Sequence, residues 1–181
     1  GNYKNKFYQR LAYDEIFSTF LVNSEIRKKI KKSKKKRKLI DIKKQNKIIE
    51  KLNFSLTNDQ IKTLKEINCD LTSSMKMFRL LQGDVGSGKT IVSLLSAFNT
   101  INSGFQVAFM APTEILARQH FNLAKKIFPE NLNIEFISGK SDYKIKKNIY
   151  NNLLKNKINI IFGTHAIFQK KVLFKKLGLI I

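Results

Sequence analysis

The sequence predicts an α/β fold, an open parallel sheet with helices on both faces, preceded by a basic helical segment. Three observations carry that expectation. From Phe54 onward, short continuous apolar runs alternate with longer amphipathic stretches, the pattern of strands buried on both faces and joined by crossover helices. One apolar run leads directly into a glycine-rich turn, Gly83 to Gly88, that opens a helical pattern. Hydrophobic residues make up 43% and aromatics 10% of the 181 positions, enough for a real core and too many for a disordered polar chain.

The elements follow in order. Phe7, Leu11, Ile16, Phe17, Phe20 and Leu21 recur mostly at spacings of three to five, the stripe of an amphipathic helix. Ten of the twelve residues from 27 to 38 are basic; such a run repels itself and lacks an apolar period, so it is expected as exposed helix or disorder. Periodicity returns over 39–52 through Ile42, Ile48 and Ile49. Residues 78–82 read as a buried strand, and 89–103 as a helix ending before Gly104, which suits the left-handed residue after a helix. A second strand is expected at 105–111. Thr113 is placed to cap the next helix and Pro129 to stop it. A strand at 132–138, a helix at 143–155, and strands at 158–163 and 177–181 complete the series.

Charge and cysteine content bound the partners. The chain carries 35 Lys and Arg against 13 Asp and Glu, a formal charge of +22, with 17 of the basic and 5 of the acidic residues before Phe54. That balance points to polyanions, nucleic acid before a membrane surface. The single cysteine, Cys69, leaves no intrachain disulfide and points to no disulfide-linked partner. No apolar run is long enough to span a bilayer, and no secretory pattern follows Gly1, so a cytoplasmic protein without membrane partners is expected. Gly1 at the start and the apolar Leu179-Ile180-Ile181 at the end read as a piece cut from a longer protein.

Gly83-Asp84-Val85-Gly86-Ser87-Gly88-Lys89-Thr90 matches Gly-x-x-x-x-Gly-Lys-Ser/Thr at every fixed position, with a strand expected before it and a helix after it. Glycines let successive N–H groups face inward as an anion nest at a helix N-terminus. Lys89 would place its ammonium on the β- and γ-phosphate oxygens and the Thr90 hydroxyl would ligate Mg²⁺, so ATP with Mg²⁺ is the expected cofactor and these two residues the catalytic ones. No apolar run after Thr90 ends in the carboxylate that hydrolysis also needs.

Residues from about Phe54 to Ile181 resemble the first RecA-like lobe of superfamily 2 helicases, most closely the RecG family of branched-DNA helicases. The stretches that carry the resemblance are residues 78–90, Ala111-Pro112-Thr113-Glu114-Ile115-Leu116-Ala117-Arg118-Gln119-His120, Ser138-Gly139-Lys140 and Gly163-Thr164-His165-Ala166-Ile167-Phe168-Gln169. Upstream, Phe54-Ser55-Leu56-Thr57-Asn58-Asp59-Gln60 resembles the family's adenine-reading segment, and Leu11-Ala12-Tyr13-Asp14-Glu15 the helix joining wedge domain to motor.

The resemblance implies a basic helical linker at 1–53 and an incomplete RecA-like lobe at 54–181 that stops before the family's Asp-Glu motif. It implies that Gln60 reads the adenine edge and Phe54 stacks on the base or packs in the core. It also implies that Pro112, Thr113, Glu114, Gly139, Gly163, Thr164 and His165 meet DNA. For Thr113 a helix cap alone stays open, and for His165 a buried hydrogen-bonded imidazole; His120 reads as structural. The implied activity is an ATP-dependent DNA helicase or translocase acting on forks and junctions in recombination and repair. The 181 residues by themselves would lack the acidic motif for hydrolysis. A transcription-repair coupling factor has a similar motor lobe, although Ser87, Glu114 and Ala166-Ile167-Phe168 favour RecG. A small-molecule phosphotransferase and a non-catalytic basic module remain open on the residues alone. The basic run at 27–38 would track a DNA backbone or serve as a solvated linker.

Overall fold

The computed structural model describes residues 5–32, 34–139, 141–169 and 171–181, the side chains of 30–32 excepted. Six helices and four strands appear among them: α1 (Lys6–Lys32), α2 (Ile42–Ile49), α3 (Asn58–Thr72), α4 (Lys89–Asn102), β1 (Gln106–Met110), α5 (Glu114–Ile127), β2 (Ile134–Ile137), α6 (Tyr143–Leu154), β3 (Ile160–Gly163) and β4 (Leu177–Ile180), with a short 3₁₀ turn at His165–Phe168. The strands pair in parallel in the order β2-β3-β1-β4.

Alternation along each strand divides the core into two layers, because successive side chains point to opposite faces. Val107, Phe109, Ile160 and Phe162 join α3, α4 and α5 in one buried cluster. Ala108 and Ile161 face the other way, against Ile149 and Leu153 of α6 and Ala166 and Ile167 of the 3₁₀ turn. Helices therefore cover both faces, as the pattern predicts. α4 is buried at ten of its fourteen positions, consistent with its apolar composition on all sides. Gly104, at φ +82°, turns it into β1.

Caps fall where local chemistry asks for them. The Asp41 carboxylate accepts from the Lys44 N–H at 3.1 Å, Thr57 and Gln60 form a reciprocal capping box, and Thr113 Oγ1 accepts from the Leu116 N–H at 3.3 Å. Each satisfies an N–H that the first helical turn leaves without a partner.

One expectation fails and another holds only in part. Residues 78–82 form no strand: the outer edge of β4 pairs with nothing among the described residues, and a strand exists only where a neighbour completes its ladder. The segment keeps a two-residue alternation all the same. Met77 and Leu81 pack on the core, while Phe78 and Leu80 point to solvent at 60% and 83% exposure. Arg79 pins the segment to α3 through Glu66 at 2.7 Å and Asp70 at 2.8 Å; the Asp70 hydrogen bond, foremost, holds the guanidinium's pKa above its ordinary value.

The basic run is the second. α1 extends to Lys32 with its apolar stripe exposed, but the residues after Ser33, which itself lies outside the described residues, are docked. The Lys35 ammonium donates to the Asp70 and Leu71 carbonyls at 2.7 and 3.2 Å, and Lys38 N–H donates to the Leu71 carbonyl. Those carbonyls lie at the C-terminus of α3, the end where a helix favours cations. Beyond them, Ile48 enters the main core. Gln45 Oε1 accepts from Asn68 and Asn99 at 2.9 and 2.8 Å, and Asn99 also donates to Asn68 Oδ1 at 2.8 Å. Residues 34–52 thus sit on α3 and α4, whereas α1 projects from them.

Candidate functional site

α4 runs from the glycine-rich loop to the turn that enters β1, so its N-terminus lies at the end of the sheet where β1 finishes. Ligands gather at that carboxyl end in open α/β sheets. Gly86 and Gly88 adopt φ of +83° and +78°, which a side-chain-bearing residue rarely tolerates. Ser87 N–H closes the turn onto the Asp84 carbonyl at 3.2 Å. Val85 stands fully exposed at the tip. The loop curls around the Lys89 ammonium, which donates to the Gly83 carbonyl at 2.7 Å, the Asp84 carbonyl, and Ser87 Oγ at 3.3 Å. Thr90, one residue into α4, makes no side-chain hydrogen bond among the described residues.

Gln60 arrives at this loop from α3. Its Oε1 accepts from Thr57 N–H at 3.0 Å, and its Nε2 donates to the Ser87 carbonyl at 2.9 Å. A Cβ at position 88 would lie 2.3 Å from that Nε2, the movable end of the Gln60 side chain, so it is the left-handed backbone that calls for glycine there. The two motifs, 27 residues apart in sequence, are in direct contact. Phe54 is not a core aromatic: it is 51% exposed. It lines a cavity of about 760 Å³ between α2 and α3, with Ile42, Ile49, Ile61 and Leu64, a cavity that no residue of the loop lines.

The residues expected to meet DNA gather at one edge. Pro112, Thr113 and Glu114 follow β1, Gly139 follows β2, and Gly163, Thr164 and His165 end or follow β3, three adjacent strands with their carboxyl ends together. Gly163 is required by packing, since a Cβ would come within 2.4 Å of the Ile137 carbonyl. His165 is exposed, which excludes the buried imidazole. Thr113 does cap α5, and Pro112 beside it is exposed. The Gly139 carbonyl accepts from the Lys146 ammonium at 2.6 Å. Lys140 lies outside the described residues.

Glu114 has a different position from a phosphate ligand. Its carboxylate pairs with Arg118 at 2.9 Å and accepts from Ser138 Oγ at 2.6 Å, tying the start of α5 to the end of β2. Arg118 in turn lies 4.4 Å over the Phe136 ring, a cation–π contact. Sequence reading missed Arg118 and Ser138 as the pair that fixes these two loops; the i, i+4 spacing of Glu114 and Arg118 was the available signal. His120 packs against Phe109 at 5.1 Å, and burial lowers its pKa.

The donor set suits a nucleoside triphosphate with Mg²⁺: a glycine-lined nest, helix N-terminal N–H groups, one ammonium and a free hydroxyl. Among the described residues no three His, Cys, Asp or Glu side chains are grouped to hold a metal ion, no helix is long and apolar enough to cross a membrane, and Cys69 is a free, exposed thiol.

Comparison with known proteins agrees with this geometry. Residues 57–181 match the family model described as DEAD/DEAH box helicase. The ATP-dependent DNA helicase RecG of Aquifex aeolicus is 41% identical over 182 aligned positions, covering 100% of this chain and 23% of that protein. RecG of Thermotoga maritima is 41% identical over 174, covering 96% and 22%. A solved structure of RecG bound to a three-way DNA junction superposes with a TM-score of 0.83 at 41% identity, over 95% of this chain and 24% of that one. The chain thus spans about a quarter of the length of the relatives it matches.

Proposed function

The chain belongs to the DEAD/DEAH box helicase family, and from that membership we propose that it is the nucleotide-binding part of a RecG-type, ATP-dependent DNA helicase or translocase acting on branched DNA in recombination and repair, in the cytoplasm. Family membership removes the small-molecule phosphotransferase alternative. The observation that carries the proposal is the contact between Gln60 and the loop at Ser87, which joins an adenine-reading segment to a triphosphate cradle. Support for the substrate comes from the relatives named RecG and from the RecG structure holding a three-way junction.

In this proposal residues 54–181 form the lobe and residues 1–53 lead into it. The N–H groups around 83–90 and the Lys89 ammonium would hold the phosphates, Thr90 would offer its hydroxyl to Mg²⁺, and Phe54 and Gln60 would address the base. ATP supplies a phosphoanhydride whose cleavage drives movement along DNA. Lys89, whose ammonium donates to the Gly83 and Asp84 carbonyls, would donate to phosphate oxygens instead, a charge-assisted and therefore stronger partnership. Gln60 would give up its Ser87 or Thr57 contact, or reach the base by a small rotation, in doing the same. At the strand ends, the α5 N-terminus beside Thr113, Gly139 and the stretch Gly163-Thr164-His165 would seat DNA phosphates through backbone N–H and His165, with Pro112, which has no N–H to donate, flanking them. Glu114 acts there by holding the loops in place.

The test uses the full protein. Branched DNA is expected to stimulate ATP hydrolysis, and Lys89→Ala to lower turnover at least about 100-fold with an unchanged circular dichroism spectrum. Turnover undiminished in that variant, or a wild-type rate indifferent to DNA, would remove the assignment.

A further inference from the structure

Gln60 reaches the phosphate loop from another helix, so its use to a nucleotide depends on how α3 lies against α4. Both helices start at the nucleotide end, with Gln60 and Lys89 in their first turns. Their apolar residues, Leu64, Ile67 and Leu71 of α3 and Ile91, Leu94 and Leu95 of α4, share one buried cluster. Apolar burial has no direction, so that cluster alone does not fix how far one helix slides along the other. Hydrogen bonds do. Among the described residues two of them join α3 to α4 and its loop: Gln60 Nε2 donates to the Ser87 carbonyl at 2.9 Å, and Asn99 Nδ2 donates to Asn68 Oδ1 at 2.8 Å.

The second bond is one side of a closed triangle. Gln45 Oε1 accepts from Asn68 at 2.9 Å and from Asn99 at 2.8 Å. Each amide is thus bonded to both others, and each comes from a different helix, α2, α3 or α4. Both N–H groups of Asn99 and both lone pairs of Gln45 Oε1 are used. Asn99 is 1% exposed and Gln45 7%, depths at which an amide is costly unless it is partnered. Few arrangements of three helices satisfy all three bonds together. At about 1.5 Å of rise per residue, Asn68 lies about 12 Å along α3 from Gln60, and Asn99 about 15 Å along α4 from Lys89. The same end is fastened from outside, where the Leu39 carbonyl accepts from Ser103 Oγ at 2.8 Å and Asn102 Oδ1 accepts from the Lys44 ammonium at 3.0 Å. Gln45 and Asn68 also line the cavity that holds Phe54.

We propose that Gln45, Asn68 and Asn99 are positioning residues for adenine recognition. Their triangle sets the offset of α3 against α4, and that offset holds the Gln60 amide at the loop. A group that reads a base edge works only when its supporting contacts hold it to about half an ångström. None of the three touches the nucleotide; each acts through Gln60. The inference rests on the proposed reading of adenine by Gln60.

The experiment measures, by titration calorimetry on the full protein, the affinities for ATP, GTP and inorganic tripolyphosphate, the last having no base to read. The double variant Gln45→Leu, Asn99→Leu replaces the deepest amides by apolar groups of similar size and leaves Asn68, which is only half-buried, free to turn to water. It is expected to bind tripolyphosphate within about twofold of the wild type, and to lose at least about fivefold of the preference for ATP over GTP. Gln45→Glu keeps an acceptor facing both asparagines and should keep the preference. Should the double variant fail to fold, Asn68→Ala, at the more exposed corner, is read in the same way. Gln60→Ala is the control. If it abolishes the preference and the double variant retains it, the positioning inference fails and the adenine reading stands. If the wild type shows no preference, or Gln60→Ala keeps it, both fail. An equal loss for tripolyphosphate and ATP would make the triangle a matter of stability alone. A loss in Gln45→Glu as large as in the double variant would show that packing, not hydrogen bonding, sets the helices. Either result overturns the inference.

Discussion

Lys89 and Lys38 are the same side chain in opposite circumstances. At one end of the sheet, Lys89 is encircled by acceptors that a glycine-rich backbone bends inward, the Gly83 and Asp84 carbonyls and Ser87 Oγ. At the other end, Lys38 is more deeply buried yet faces an aromatic ring and further lysines. The first cation is held ready in a preformed cradle; the second has no counter-charge among the described residues. The difference teaches that the acceptors within reach of a lysine decide whether it is stabilised: Lys89 has them, while burial and then the neighbouring charge of Lys35 act against Lys38. The motif advertises Lys89, while the charge run conceals Lys38.

The comparison is broken most severely by disturbing the cradle's backbone. Gly88→Ala would hold a side chain in a left-handed backbone, at a cost of about 1–3 kcal/mol, and would push the Gln60 amide off the loop. We expect the nucleotide affinity of the full protein, measured by titration calorimetry, to fall by about 10–100-fold. An unchanged affinity would mean that the Gln60 contact is dispensable and that the loop tolerates a side chain.

Lys38→Met probes the other end. Its pKa is lowered from an ordinary 10.5 to about 8, so between those values the unfolded chain holds more protons and stability rises with pH. Below pH 8 the whole penalty is present. Methionine is therefore expected to raise stability by about 1–3 kcal/mol at pH 7, and the gain should shrink as pH rises through 8 toward 10.5. Chemical denaturation across that window checks it; a gain independent of pH would indicate better packing instead of relief of charge.

The smallest effect sharpens the contrast. Ser87→Ala removes one side-chain acceptor of Lys89 and leaves the carbonyls, a loss of about 0.5–1 kcal/mol. Nucleotide affinity should change by less than about fivefold. A larger loss would transfer the cradle's function from backbone to side chain.

Much of the site was legible because its signals are local. The 83–90 spacing, the cap at Thr113 and the left-handed Gly104 each depend on a few consecutive residues, and the structure places them as read. The two-sided burial of β1 and β3 was legible in unbroken apolar runs. Residues 78–82 carry the same kind of run and yet make no strand, since composition cannot supply the neighbour that a ladder requires. Phe54 and His165 show the same limit for exposure. An aromatic or an imidazole looks alike in sequence whether it faces a cavity, solvent or core.

The sequence by itself determined the alternation of elements, the anion nest and the helix that springs from it, because propensity, capping and backbone freedom act within a few residues. Only the tertiary structure decided that Gln60 meets Ser87, that Glu114 braces Ser138, and that Lys35 and Lys38 leave solvent for the end of α3. Those outcomes join residues tens of positions apart, and the energy that selects them comes from burial and from acceptors that exist only once the helices have packed.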